Sequence, residues 1–193
     1  MKIFLVDNFD LYTNNLIEEF EKLDCEVLSY RSNVDMNVMD STIKKFKPKL
    51  IVISSGPGNV SNAGNSVDII LNYAGKIPVF GVGLGHQCII EAFGGKIGKS
   101  ALILHGKTAT ISHDQKTIYK RLDKTFVAGR YNSLTGTDIS YTLEVSARDE
   151  NDAVMGVRHK DCFVEGIQFH PESILTPKGS LFIESLLKEV EKK

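Results

Sequence analysis

The sequence predicts an α/β fold: a mostly parallel central sheet flanked by helices, with an antiparallel extension in the C-terminal half. Three observations carry this expectation. Through the first half, short β-branched-rich runs alternate with amphipathic helical stretches. The runs themselves, such as Ile3–Val6 and Leu50–Ser54, are apolar almost throughout, as strands buried on both faces are. From about residue 101 to residue 169 the pattern changes, and strand-like segments follow one another through short turns.

Each element has its local reason. Ile3–Val6 is the first strand, and Asp10 can cap a helix whose apolar positions are Tyr12, Leu16, Ile17, Phe20 and Leu23. Cys25–Tyr30 alternates as a strand. Thr42–Phe46 suits a short helix stopped before Pro48. Leu50–Ser54 is followed by the turn-rich Ser55-Gly56-Pro57-Gly58-Asn59. Val67–Ala74 reads as a helix, Val79–Val82 as a strand, and Leu84–Phe93 as a helix closed by Gly94-Gly95. Thr108–Ser112, Thr142–Ala147, Val154–Arg158 and Phe163–Phe169 form the antiparallel part, and Leu181–Val190 is a closing helix after Pro177.

Bulk properties narrow the functional classes. The 193 residues suit one domain, residues 1–193, with a full core. With 23 basic and 24 acidic side chains the net charge is −1, which gives no electrostatic reason to expect nucleic acid or an anionic membrane. No apolar run reaches the length of a membrane span, and the N-terminal apolar stretch ends at Asp7, too short for a secretory signal. A cytoplasmic location is expected. Cys25, Cys88 and Cys162 are odd in number and far apart in sequence, so reduced thiols are expected rather than disulfides or a metal knuckle.

Two motifs carry chemistry. Phe80 to Gln87 joins a strand to a helix with glycines at 81, 83 and 85. That is the spacing of a nucleophile elbow, in which glycines permit a sharp turn and the next N–H opens the helix toward the site. A phosphate-binding turn, or a tight connection alone, has the same local appearance. The second motif is Phe169-His170-Pro171-Glu172-Ser173. Pro171 fixes its own φ and holds His170 extended, so imidazole and carboxylate can lie together on a stiff connection. A carboxylate on one ring nitrogen sets the tautomer and leaves the other as base. An incidental surface loop is the alternative. His170 and Glu172 are also two conceivable metal ligands, but no third lies near them in sequence, so no metal is expected.

Together the motifs resemble the class I, triad-type glutamine amidotransferases, and within them the small-subunit branch of anthranilate and aminodeoxychorismate synthases. The resemblance spans essentially the whole chain. It is carried by Asp7-Asn8-Phe9-Asp10, by Ser55-Gly56-Pro57-Gly58 with Ala63-Gly64, by Gly81–Gln87, and by Gly166–Ser173. His105-Gly106-Lys107 and Arg130-Tyr131-Asn132-Ser133-Leu134 add to it. The family implies a cysteine thiolate that attacks the glutamine amide and releases ammonia to a chorismate-using large subunit within a hetero-oligomer. It implies His170 as base and acid, Glu172 as its orienter, and N–H groups near Gly58 and Leu84 as oxyanion hole. Gly56, Pro57, Gly58, Leu84, Gln87, Ser133 and Leu134 would line the glutamine pocket. No cofactor is implied in this subunit, with Mg2+ confined to the partner. Asp7–Asp10 is then either a strand end with a helix cap or a contact with the synthase, and Lys107 is a solvated or an interface residue.

The sequence departs from the family where it matters most. Gly83 occupies the nucleophile position, so no thiolate can form there, and Cys88, five residues on inside the helix, does not replace it. Loss of a triad nucleophile costs about 10⁵- to 10⁶-fold in turnover. The expectation is a chain inactive in glutamine hydrolysis that retains room for bound glutamine. Such a chain has two possible origins: substitution in an intact enzyme, or natural degeneration to a binding-only partner. Ser55 stands where the family usually has proline, and Asn132 where it often has histidine.

Overall fold

The computed structural model describes residues 1–193 as one nine-stranded sheet with helices on both faces. The strands are β1 (Lys2–Asp7), β2 (Glu26–Arg31), β3 (Leu50–Ile53), β4 (Val79–Val82), β5 (Lys96–His113), β6 (Thr125–Asp138), β7 (Leu143–Asp149), β8 (Val154–His159) and β9 (Val164–Ile167). The helices are α1 (Thr13–Glu21), α2 (Met36–Phe46), α3 (Ser66–Tyr73), α4 (Leu84–Ala92) and α5 (Gly179–Val190). The sheet order is β2-β1-β3-β4-β9-β8-β7-β5-β6. The first five strands in that order are parallel, and β9, β8, β7, β5 and β6 continue as antiparallel neighbours.

The continuous apolar runs follow from this layering. In β1, Ile3 and Leu5 face a core shared with Leu16 and Phe20 of α1 and Phe182 and Leu186 of α5. Phe4 and Val6 face the opposite core, with Met39 of α2, Ile70 of α3 and Ile89 of α4. Successive side chains point to opposite faces, and here both faces are covered, so every position must be apolar.

Several boundaries differ from the sequence expectation. Helix α2 begins at Met36, six residues before Thr42, because the Asp35 carboxylate accepts hydrogen bonds from the Asn37 and Val38 N–H groups at 2.9 and 3.4 Å. Asp10 does not cap α1. Tyr12 holds the N-cap position without a side-chain bond, and Asp7 instead accepts from the Thr13 hydroxyl at 2.7 Å. Thr108–Ser112 lies within an 18-residue strand, β5, whose long antiparallel partner β6 the apolar pattern did not disclose. The expected final strand, Phe163–Phe169, contains β9, which is antiparallel to β8 but parallel to β4. It therefore joins the two halves of the sheet rather than belonging to the extension alone.

Candidate functional site

The C-terminal ends of β1, β3, β4 and β9 converge, and the loops that leave them carry Asp7–Asp10, Ser55–Gly58, Gly83 and His170. In open α/β sheets this edge is where ligands bind. Strand β6 crosses in front, adding Tyr131 to Leu134. The result is a cleft of about 160 Å³, partly open to solvent and lined mainly by polar groups. Of the residues expected at the site, Gly56, Pro57, Gly58, Leu84, Gln87, Ser133, Leu134 and His170 all line it.

The elbow has the geometry that its glycine spacing predicts. A β-carbon at Gly81 would lie 2.5 Å from the Gly85 carbonyl, and one at Gly85 would lie 2.2 Å from the Ile53 carbonyl, so neither position admits a side chain. Gly83 sits between them at φ 56° and ψ −106°, a region that L-residues rarely adopt. Leu84 is the first residue of α4, so its N–H has no acceptor within the helix and stands at the positive end of the helix dipole. A β-carbon at Gly83 would point at the His170 imidazole, 3.3 Å from Nε2. It would also lie 2.3 Å from Oγ and 2.8 Å from Cβ of Ser55. The two departures noted in the sequence thus touch: Ser55 fills the space that a side chain at 83 would need.

His170 is held from several sides. Its N–H donates to the Gly129 carbonyl at 3.1 Å, and its own carbonyl accepts from the Thr176 hydroxyl at 2.6 Å. Nδ1 lies 2.6 Å from Oε1 of Glu172, while Nε2 faces Gly83. The ring is edge-on to Tyr131, with centroids 5.0 Å apart. Burial works to lower the His170 pKa, but the Glu172 carboxylate, through charge and hydrogen bond, and the charge of Asp10 more than reverse this and raise it.

Behind the cleft a polar network fixes the binding loop. Gln87 donates to Oε1 of Gln168 at 3.1 Å, and Asn132 donates to the Leu134 carbonyl at 2.9 Å. Arg130, fully buried, donates through Nε to Asn132 at 3.1 Å and through Nη1 to Asp149. Asn132 therefore acts as a brace between a buried ion pair and the loop at Leu134.

The other titratable groups near the elbow are inert. Burial pushes the Cys88 thiol up to about 12, and the side chain packs in the α4 core. Burial likewise lowers His86 to about 4, leaving it neutral. Cys25, Cys88 and Cys162 are all free.

Sequence reasoning placed no ligand-lining role on Ser55, His105, Tyr131, Asn132 or Gln168, yet all five line the cleft. All sit within the segments that carried the family resemblance, so the segment boundaries were the available signal. Asp10, read as a helix cap or a synthase contact, does not cap α1 and stands beside the His170–Glu172 pair. One carboxylate oxygen of Asp10, one of Glu172 and one imidazole nitrogen of His170 lie within 4.8 Å of one another.

The chain has relatives among known proteins. Residues 4–190 match the family model described as glutamine amidotransferase class-I. A multifunctional tryptophan biosynthesis protein of Pichia angusta is 43% identical over 96% of this chain, which spans 50% of that protein. Anthranilate synthase component 2 of Buchnera aphidicola is 40% identical, with 96% of this chain and 94% of that one covered. Aminodeoxychorismate/anthranilate synthase component 2 of Bacillus subtilis is 39% identical, with 97% and 98% covered. Among solved structures, a GMP synthase subunit from Thermoplasma acidophilum superimposes with a TM-score of 0.86 over 100% of this chain and 94% of that chain, at 19% identity, a likeness of fold alone.

Proposed function

We propose that this chain, which belongs to the class I glutamine amidotransferase family, is the glutamine-binding subunit of a chorismate-using synthase and holds glutamine without hydrolysing it. One observation supports the reading: the residues expected to hold glutamine line one cleft, and the position facing Nε2 of His170 is a glycine. Gly56 to Gly58, Leu84, Gln87, Ser133 and Leu134 enclose the space in front of Nε2 of His170. The glutamine carbonyl would accept from the N–H groups at Leu84 and Gly58, and its polar ends would meet the backbone of Ser133 and Leu134. Gly83 offers no atom to attack the amide, so His170 has no thiol proton to take and no acyl-enzyme forms.

The synthase is read as anthranilate synthase because relatives of that name match almost end to end. The name of the Bacillus subtilis relative joins anthranilate and aminodeoxychorismate synthase, which supports the second activity as the alternative, with one small subunit serving either partner. The subunit would act in a cytoplasmic hetero-oligomer, need no cofactor to hold glutamine, and leave Mg2+ to the large subunit. No helix is long and apolar enough to cross a membrane.

Reconstitution with a chorismate-using large subunit tests this. The expected result is product formation from ammonia but not from glutamine, with no glutamate released. Glutamine-dependent product at the ammonia-dependent rate would overturn it.

A further inference from the structure

We propose that Ser55 is a nucleophile in this cleft, with His170 as its base, and that it acts on activated esters rather than on amides. The two departures from the family meet in space. A thiol is missing at Gly83, and a hydroxyl is present at Ser55, where the resemblance implies proline. The β-carbon position at Gly83 lies 2.3 Å from Oγ of Ser55 and 3.3 Å from Nε2 of His170. Hydroxyl and imidazole therefore flank one point, Ser55 from the loop after β3 and His170 from the loop after β9. They flank it rather than bond directly. A turn about the Cα–Cβ bond of Ser55 closes the gap, and such contacts often tighten only when substrate binds.

The surroundings supply the other parts. Ser55 and His170 both line the cleft, so a reactant that enters it meets both. Nδ1 of His170 is engaged by Glu172 at 2.6 Å, which leaves Nε2 to take a proton. The Leu84 N–H, at the start of a nine-residue helix, follows Gly83 directly and is placed to receive a carbonyl oxygen as it gains charge.

The step balances without a further reagent. The Oγ proton passes to Nε2 as Oγ bonds to the ester carbonyl carbon. The bond from that carbon to the leaving oxygen then breaks, and the electron pair departs on a phenolate, which the imidazolium or solvent protonates. Water, giving a proton to Nε2, attacks the acyl-serine, Oγ regains a proton and the acid leaves. An amide nitrogen, by contrast, leaves only once protonated. That demands an alignment of base, nucleophile and leaving group that a hydroxyl turned in from a neighbouring loop does not provide, so glutamine stays intact.

The test uses the full chain without glutamine, with p-nitrophenyl acetate as ester and a fluorophosphonate as covalent label. Nitrophenolate release above the buffer rate is expected, with one label per chain, mapped to Ser55 by peptide mass spectrometry. Labelling should quicken with pH as His170 loses its proton. Its midpoint should lie above about 6.5, because Glu172 and Asp10 outweigh burial and raise the His170 pKa. Tyr131, edge-on to the ring, is the other titratable group that faces it. Glu172→Gln should lower the midpoint, His170→Ala should slow labelling about 10²-fold or more, and Ser55→Ala should abolish it. No label, a label on another residue, or a Ser55 label whose rate ignores both pH and His170→Ala would overturn the proposal. The label site and the pH midpoint are read on the unsubstituted chain, so they stand even where a variant folds poorly. The proposal rests on the cleft described above but not on glutamine binding, which calorimetry reads separately.

Discussion

At the scale of single residues, the site turns on Gly83 and Ser55. Any L-residue at φ 56° and ψ −106° carries backbone strain of about 1–3 kcal/mol. A cysteine would meet in addition Cβ of Ser55 at 2.8 Å, which side-chain rotation cannot move. Gly83→Cys alone is therefore expected to give weak glutamine-dependent synthesis with the large subunit. Gly83→Cys with Ser55→Gly should exceed it about ten-fold or more, since about 1.4 kcal/mol of relieved strain is a factor of ten. Equal activity of the two variants would show that Ser55 is no obstacle. His170 supplies a second expectation. Its pKa is raised in the folded chain, so its ionisation contributes stability that is fully present below the unfolded value, about 6.5, and is lost as pH rises through the folded value. Thermal melts across this pH range should show this loss, and Glu172→Gln should remove most of it. A pH profile identical in the variant would mean that Glu172 does not hold the proton on His170. Much of this scale was legible in the sequence: the elbow glycines and the His-Pro-Glu turn each encode their own geometry over a few residues. The contact between Ser55 and position 83 was not, because it joins the ends of two strands and local patterns carry no information on it.

At the scale of elements, β6 positions the binding loop from a buried ion pair. Arg130 and Asp149 both have fully buried side chains, and Arg130 passes the constraint to Asn132 and so to Leu134. Removing one partner leaves a buried charge uncompensated, which destabilises by about 3–5 kcal/mol. Asp149→Ala should lower the melting temperature accordingly in denaturation experiments. Asn132→Ala should weaken glutamine binding with a much smaller change in stability. A large stability loss in Asn132→Ala together with unchanged glutamine affinity would contradict the bracing role. Strand β6 itself escaped the sequence pattern for a physical reason. Its burial is irregular, with adjacent buried residues at Ala128 to Arg130 and partly exposed ones at Ser133 and Leu134, so it lacks period-2 alternation. Helix α2 was shortened in the reading because its start depends on a single cap, Asp35, and its first turn is half exposed.

At the scale of the whole molecule, β9 joins the parallel half of the sheet to the antiparallel half and delivers His170 to the cleft. Its position between β4 and β8 could not be read from its apolar run, since that run suits either direction of pairing. The junction carries a buried acid, Glu165, opposite Arg158 of β8. Burial raises its pKa to about 7, with Arg158 pulling it down and Asp114 adding to the rise. An acid whose folded pKa exceeds its unfolded one leaves stability untouched below about 4.5 and lowers it as pH rises toward 7. Glu165→Gln should thus lose the fall in stability that the unsubstituted chain shows between about pH 5 and pH 8. The same fall in the variant would show that Glu165 is not the group that titrates there. Strands β1, β3, β4 and β9 gather four loops into one cleft, and what that cleft does with glutamine is the central claim. Calorimetry of the chain with its large subunit, followed by recovery of the ligand, tests it most directly. Saturable binding of one glutamine per small chain, recovered intact, is the predicted result; no binding, or recovery as glutamate, would contradict it.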